Sequence, residues 1–138
     1  MALIRFMPML GFLWLIYNLM MLLGDIGSTL DYELFNVALP SSATWSVNVG
    51  HLLVMVGVVA LYVEVFKATR TTTSSIIDHG ISMVVFIAYL VEFLVVAGAG
   101  NSIFMILLLM ALVDVIAGYT VTIVAARRDL GFGNNPDI

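Results

Sequence analysis

Two long apolar segments near the end of the chain constrain its fold more than any other feature. They cover residues 76–98 and 103–126, and only four residues separate them. Because about 20 apolar residues in an α-helix span the ~30 Å hydrocarbon core of a bilayer, each segment is long enough to cross a membrane. Each also contains a carboxylate, Glu92 in the first and Asp114 in the second. We therefore predict a helical hairpin in the membrane with an acidic group inside each span.

The composition of the whole chain agrees with a membrane location. Of the 138 residues, 62% are hydrophobic and 10% are charged, and the mean hydropathy is +1.13. A soluble domain of this length needs more polar surface, so we expect a single integral membrane domain over residues 1–138. The chain has no cysteine, which excludes disulfides and thiolate catalysis. Since we find no catalytic or nucleic-acid-binding motif, we expect neither an enzyme nor a nucleic-acid partner.

With two further apolar segments, the helical hairpin becomes part of an all-α bundle of four transmembrane helices. The predicted spans cover residues 6–24, 45–66, 76–98 and 103–126. All the basic residues then fall on one side of the membrane: Arg5, Lys67, Arg70, Arg127 and Arg128. Because basic residues accumulate in cytoplasmic segments, we expect both termini in the cytoplasm and a bacterial inner-membrane location.

The first outer loop, residues 25–44, also has a pattern of its own. Apolar residues recur there at near-helical spacing: Leu30, Leu34, Phe35, Val37 and Ala38. Ser28 and Asp31 resemble a weak capping box, and Pro40 interrupts the pattern. The loop therefore predicts a short helix that lies in the outer membrane interface.

Small residues predict which faces of the spans pack together. Gly50 and Gly57 lie toward one side of the second span, and Ala111 and Gly118 share a side of the fourth span with Asp114. Small residues allow close approach of membrane helices. We therefore expect Asp114 to point into protein and not into lipid.

Depth along the spans predicts one polar cluster in the outer half of the bundle. At 1.5 Å per residue, Asn18, His51 and Glu92 come to similar heights, and Asp114 comes about one turn deeper. Two interpretations remain open for these four residues. They are either hydrogen-bonded locks between helices or a proton or cation relay in which the carboxylates change protonation.

The polar residues at the inner rim have ordinary structural explanations. Glu64 and Lys67 are spaced for an ion pair on one helix, and Asp78 fits a capping position at the start of the third span. His79 then comes to the level of the lipid headgroups. His51 and His79 are roughly 18–20 Å apart along the membrane normal, which disfavours a haem held by both within one chain. A haem bound by one histidine or shared with another chain stays open.

The polar tail, residues 127–138, predicts contact with another chain. Such tails are usually disordered unless something holds them, and Phe132 and Ile138 are the apolar residues suited to partner docking. We therefore expect a non-catalytic small subunit of an inner-membrane assembly, or one copy in a homo-oligomer. The bilayer and other membrane chains are the expected partners. One alternative is a small proton- or cation-coupled transporter or channel that uses Glu92, Asp114 and His51. A second is a haem- or quinone-associated anchor subunit.

Overall fold

A computed structural model describes residues 8–68 and 73–132 of the chain. Within these ranges the backbone is mostly helical, with one β-hairpin. In chain order, the elements are α1 (Met9–Leu23), α2 (Ile26–Asp31), β1 (Glu33–Ala38), β2 (Thr44–Asn48), α3 (Val49–Ala68), α4 (Thr73–Val95), a 3-10 turn (Ala97–Ala99) and α5 (Ser102–Phe132).

Three of these helices are long and apolar enough to cross a membrane. The qualifying segments are Val49–Ala68 in α3, Ile77–Val95 in α4 and Ser102–Val121 in α5. They correspond to the last three predicted spans, although α3 begins four residues later than expected. The first predicted span corresponds to α1, which has 15 residues and is only ~22 Å long. The expected count of four spans is therefore not confirmed.

Helix α5 is the centre of the fold and packs against both α3 and α4. Its side chains Phe104 and Leu107 are fully buried. A Cβ atom added at Gly57 of α3 would lie 2.8 Å from Sδ of Met110 and 3.0 Å from Cδ2 of Leu107. The absence of a side chain at Gly57 therefore allows α3 to lie close against α5, as the small-residue pattern predicts.

Polar and aromatic groups attach α1 to the other helices. The Tyr89 hydroxyl donates to the carbonyl of Leu10 at 3.0 Å, and the Tyr17 hydroxyl donates to the carbonyl of Gly98 at 2.8 Å. The rings of Tyr17 and Tyr89 also contact Phe104, with centroids 4.8 and 5.2 Å apart. Aromatic pairs at these separations are attractive, so α1 is held by specific contacts with α4, α5 and the turn between them.

The predicted interfacial helix, which runs from Leu30 to Ala38, is wrong over residues 34–38. These residues form β1, which pairs with β2 in an antiparallel hairpin. Phe35, Val37 and Trp45 are residue types that favour strands. Ser42 adopts a positive φ of 65° in the turn, so that the chain reverses after Pro40. Pairing with β2 supplies hydrogen-bond partners from outside the segment, which the pattern within residues 34–38 does not reveal.

A short helix does form, but it begins earlier than predicted and includes only the start of the predicted segment, Leu30 and Asp31. Helix α2 begins after Asp25, whose carboxylate accepts a hydrogen bond from the backbone N–H of Ser28 at 2.8 Å. This bond lowers the pKa of the exposed Asp25 carboxyl, because it stabilises the charged form. The helix-capping residue is therefore Asp25, and Ser28 lies inside the first turn.

The bundle has two ends, which we name by their contents. The hairpin end contains β1, β2, the start of α3 and the turn between α4 and α5. The basic end, where α3 ends and α4 begins, contains Lys67. The polar groups of the interior lie in two separate places along this axis.

Candidate functional site

The first interior polar group joins α1 to α4. The side-chain amide of Asn18 donates to Oε2 of Glu92 at 3.0 Å and also to the carbonyl of Trp14 at 3.1 Å. Glu92 is buried, with 7% of its surface exposed. Among the described residues, its other oxygen, Oε1, has no hydrogen-bond partner. The structure thus brings together two of the four residues in the predicted cluster.

His51 does not join this pair. Its side chain is exposed at the start of α3. The backbone N–H of Asn48 donates to Nδ1 of His51 at 3.4 Å, and the side-chain oxygen of Asn48 accepts from the N–H of His51 at 2.7 Å. This reciprocal pattern caps a helix start, so His51 has a local role at the hairpin end. The predicted span begins at residue 45, whereas α3 begins at Val49, so His51 lies in the first turn of the helix and not within the span.

Asp114 belongs to a second group, at the basic end. It is buried in α5, as the small-residue pattern predicts, with 6% of its surface exposed, and the hydroxyl of Ser82 on α4 hydrogen-bonds to its carboxylate. A cavity of about 10 Å³ lies beside it, which is close to the space that one water molecule needs. The cavity is lined by Glu64, Lys67, Ala68, Asp78, His79, Ser82 and Asp114.

Glu64 connects this second group to α1. Its Oε1 accepts a hydrogen bond from the backbone N–H of Met9 at 2.8 Å, and its Oε2 lies 3.5 Å from Nζ of Lys67. The predicted ion pair with Lys67 is therefore confirmed. The bond to Met9 was not predicted, because the side chain comes from a helix 55 residues away in the chain. It satisfies one of the N–H groups that every helix start leaves without an intrahelical partner.

His79 packs against α5, and 9% of its surface is exposed. Its ring lies directly against Gly118, where an added Cβ would overlap the imidazole, and its centroid is 6.4 Å from that of Tyr119. Close beside it in the chain, Asp78 has a buried Oδ1 with no hydrogen-bond partner in the described ranges. Asp78 and His79 both line the cavity. Neither the capping role predicted for Asp78 nor the headgroup-level position predicted for His79 anticipates this.

The sequence did not identify Ser82 as a site residue, and it did not predict that Glu64, Asp78, His79 and Asp114 lie together at the basic end. Asp78 and Ser82 are four residues apart, so they share one face of α4, and that spacing was the available signal. Within residues 8–68 and 73–132, no group of three or more histidines and carboxylates is arranged to hold a metal ion. Ile138 and the side chain of Phe132, predicted to dock on a partner, lie outside the described part of the chain.

The fold and these two polar groups define a helical protein with three helices suited to a membrane. No family model, curated protein or solved structure matches the chain.

Proposed function

We propose that this chain is a non-catalytic small subunit of a membrane assembly, built either with other membrane chains or with further copies of itself. One observation carries the proposal. The hairpin has an apolar face on which Phe35, Val37 and Trp45 are 53%, 38% and 46% exposed. Val47 on the same face is 1% exposed, so the body of the protein covers only the base of the hairpin. Exposed apolar side chains outside the membrane-spanning helices favour contact with another protein.

The interior polar groups support a non-catalytic role. Asn18 bonds to Glu92, Ser82 to Asp114, and Glu64 to the start of α1. Each of these contacts joins two different helices, which is the usual use of polar side chains in a membrane bundle. Most of the polar chemistry of the spans is therefore used to hold the helices together.

A native mass measurement tests the proposal. The wild-type protein, extracted in a mild detergent, should run as an assembly larger than one chain. The double variant Phe35→Thr/Val37→Thr keeps residues that favour strands but removes much of the apolar face of the hairpin. It should therefore release single chains from the assembly. Val58→Thr with Val59→Thr changes exposed residues of α3 and serves as the matched control. A wild-type protein that is a single chain in detergent and in the membrane would contradict the proposal.

A second candidate function rests on the cavity at the basic end. Three carboxylates, those of Glu64, Asp78 and Asp114, meet there with His79 around space for one water molecule. Buried ionisable groups beside water are also the components of proton relays. In this alternative the chain is a small proton- or cation-coupled transporter or channel.

Liposomes that contain the purified chain and a pH-sensitive dye test this second candidate. The alternative predicts proton flux that Asp114→Asn abolishes, since an amide does not release a proton. Glu33→Gln on the exposed hairpin is the control and should leave the flux unchanged. The absence of flux from the wild-type chain would remove the alternative and leave the subunit proposal standing.

A further inference from the structure

The free edge of β1 identifies a partner for the hairpin. Building on the proposed function, we propose that this partner is a second copy of the chain, and that the two β1 strands pair antiparallel across a two-fold axis. The result is a four-stranded sheet at the hairpin end of a dimer.

The edge of β1 is open along its length, whereas β2 is covered in its second half. All six residues of β1 are exposed. In β2, Val47 is buried, and Ser46 and Asn48 are half-buried, because the strand leads directly into α3. Edge strands are commonly protected from pairing by lysine, proline or a covering element. The sequence of β1 contains neither lysine nor proline. Its register shift, between Glu33 and Phe35, lies at the start of the strand, so residues 35–38 keep a regular edge for another strand.

The ladder within the hairpin shows which backbone groups point outward. The N–H of Leu39 donates to the carbonyl of Ala43 at 2.8 Å, which makes this couple a hydrogen-bonded pair. Hydrogen-bonded and non-hydrogen-bonded pairs alternate in an antiparallel ladder, so Val37 and Phe35 also bond inward to their partners Trp45 and Val47. The N–H and C=O groups of Asn36 and Ala38 therefore point away from β2.

This edge is complementary to itself. If Asn36 pairs with Asn36 of the second copy, both strands exchange hydrogen bonds there, and Phe35 of one copy lies opposite Val37 of the other. The acidic residue of the strand, Glu33, falls at opposite ends of the antiparallel pair, so the two negative charges are well separated. The contact is isologous and closes at two chains.

The energetics also favour pairing. An isolated two-stranded hairpin is marginally stable, and added strands with an apolar face or packing against a helix are needed for stability. Here only the base of the hairpin is covered by the body of the protein, at Val47, so added strands would stabilise the rest. Joining two hairpins makes the face of Phe35, Val37 and Trp45 continuous across four strands. Antiparallel pairing of identical strands places the two-fold axis across the sheet, between the two Asn36 residues. For copies inserted in the same direction that axis is the membrane normal, so the proposed sheet lies along the membrane surface.

Cysteine cross-linking tests the register because the native chain contains no cysteine. The Cα atoms of Asn36→Cys in the two copies would be about 5.5 Å apart, within the roughly 4.4–6.8 Å of a disulfide. A mixture of Phe35→Cys and Val37→Cys chains with different tags tests the neighbouring pair, which is about 4.5 Å apart. Ser41→Cys is the control, since at ~3.3 Å per residue its two copies are roughly 30 Å apart. Mild oxidation in native membranes should cross-link the first two arrangements and not the control.

Proline provides an independent test. Asn36→Pro removes an N–H that points outward, so the hairpin should persist while dimerisation weakens by about tenfold or more, because two inter-chain bonds are lost. Val37→Pro removes an inward N–H and should disrupt the hairpin itself. Circular dichroism and native mass distinguish these two effects.

The outcomes separate this inference from the proposed function. Equal cross-linking of Asn36→Cys and Ser41→Cys, or none at Asn36→Cys, would overturn β1 pairing. If the wild-type protein is still an assembly in that case, the subunit proposal stands with a different interface. A wild-type protein that is a single chain in the membrane would overturn both.

Discussion

Gly118 determines how closely α4 approaches α5 at the residue scale. The imidazole of His79 occupies the position that a Cβ at residue 118 would take. This packing places His79 and Asp78 beside Asp114, so a glycine with no polar group of its own helps to form the basic-end cavity. In a bundle that lies in lipid, such close contacts contribute much of the helix association.

We expect Gly118→Ala to lower stability by about 1–3 kcal/mol, which is typical of overpacking in a well-packed interior. Thermal unfolding in detergent measures the effect. Gly80→Ala is the matched control, since a Cβ at that helical glycine meets no atom within 4 Å. The control should be neutral or stabilising by up to ~1 kcal/mol, because alanine favours a helix over glycine. Equal stability of the two variants would show that His79 moves aside without cost.

At the scale of single elements, α1 depends on a contact from elsewhere in the chain, and the hairpin depends on its own turn. Helix α1 is short, and Pro8 before it gives no side-chain cap. The carboxylate of Glu64 supplies that function from α3. The hairpin depends instead on a turn in which Ser42 takes a left-handed conformation, one that is costly for residues other than glycine.

The Glu64 contact predicts different effects for two substitutions. Glu64→Ala leaves the N–H of Met9, whose hydrogen bond to Glu64 is partly buried, without an acceptor and should cost about 1–3 kcal/mol. Glu64→Gln keeps an acceptor oxygen and loses mainly the ion pair with the partly exposed Lys67, which is worth ~1 kcal/mol or less. Unfolding measurements on both variants, with hydrogen exchange at the start of α1, check this order. A larger loss of stability in Glu64→Gln than in Glu64→Ala would mean that the charge of Glu64, and not its hydrogen bond to Met9, stabilises the fold.

The turn of the hairpin gives a prediction of the opposite sign. Ser42→Gly should stabilise the hairpin by up to ~1 kcal/mol, since glycine reaches a positive φ without strain. Ser41→Gly, one residue earlier and not at a positive φ, should not. Hydrogen exchange of the Leu39 N–H, which bonds across the turn, reports the change directly. Loss of protection in Ser42→Gly would contradict this account.

At the scale of the whole molecule, the basic residues predict an orientation in the membrane. We propose that the basic end and both termini face the cytoplasm of a bacterial cell and that the hairpin faces the outside. The proposal depends on the distribution of all five lysines and arginines.

Topology reporters test this arrangement. Fusions after Ile138 and within the turn at residues 39–43 should give opposite signals. A fusion at Met1 tests whether the short helix α1 also crosses the membrane. If α1 crosses, the Met1 fusion should give the same signal as the fusion after Ile138. Opposite signals at the two termini would mean that α1 does not span the membrane, and equal signals at Ile138 and the hairpin would refute the orientation.

The sequence alone determined the parts of the fold that depend on local composition. Long apolar runs predicted α3, α4 and α5 because length and hydropathy suffice for a membrane helix. Small residues predicted the buried face of α5, and with it the burial of Asp114. The spacing of Glu64 and Lys67 predicted their ion pair because both residues lie on one helix.

Only the tertiary structure decided how the polar residues are grouped. The sequence predicted one cluster, whereas the structure pairs Asn18 with Glu92, leaves His51 exposed and places Asp114 beside Glu64, Asp78 and His79. Likewise, residues 34–38 have a helix-like spacing but form a strand, since pairing with β2 supplies their hydrogen bonds. Position along a helix can be counted from the sequence at 1.5 Å per residue. The side chains of other helices that a polar residue meets, and the pairing of a segment with a distant strand, are set by contacts between elements, which no local pattern encodes.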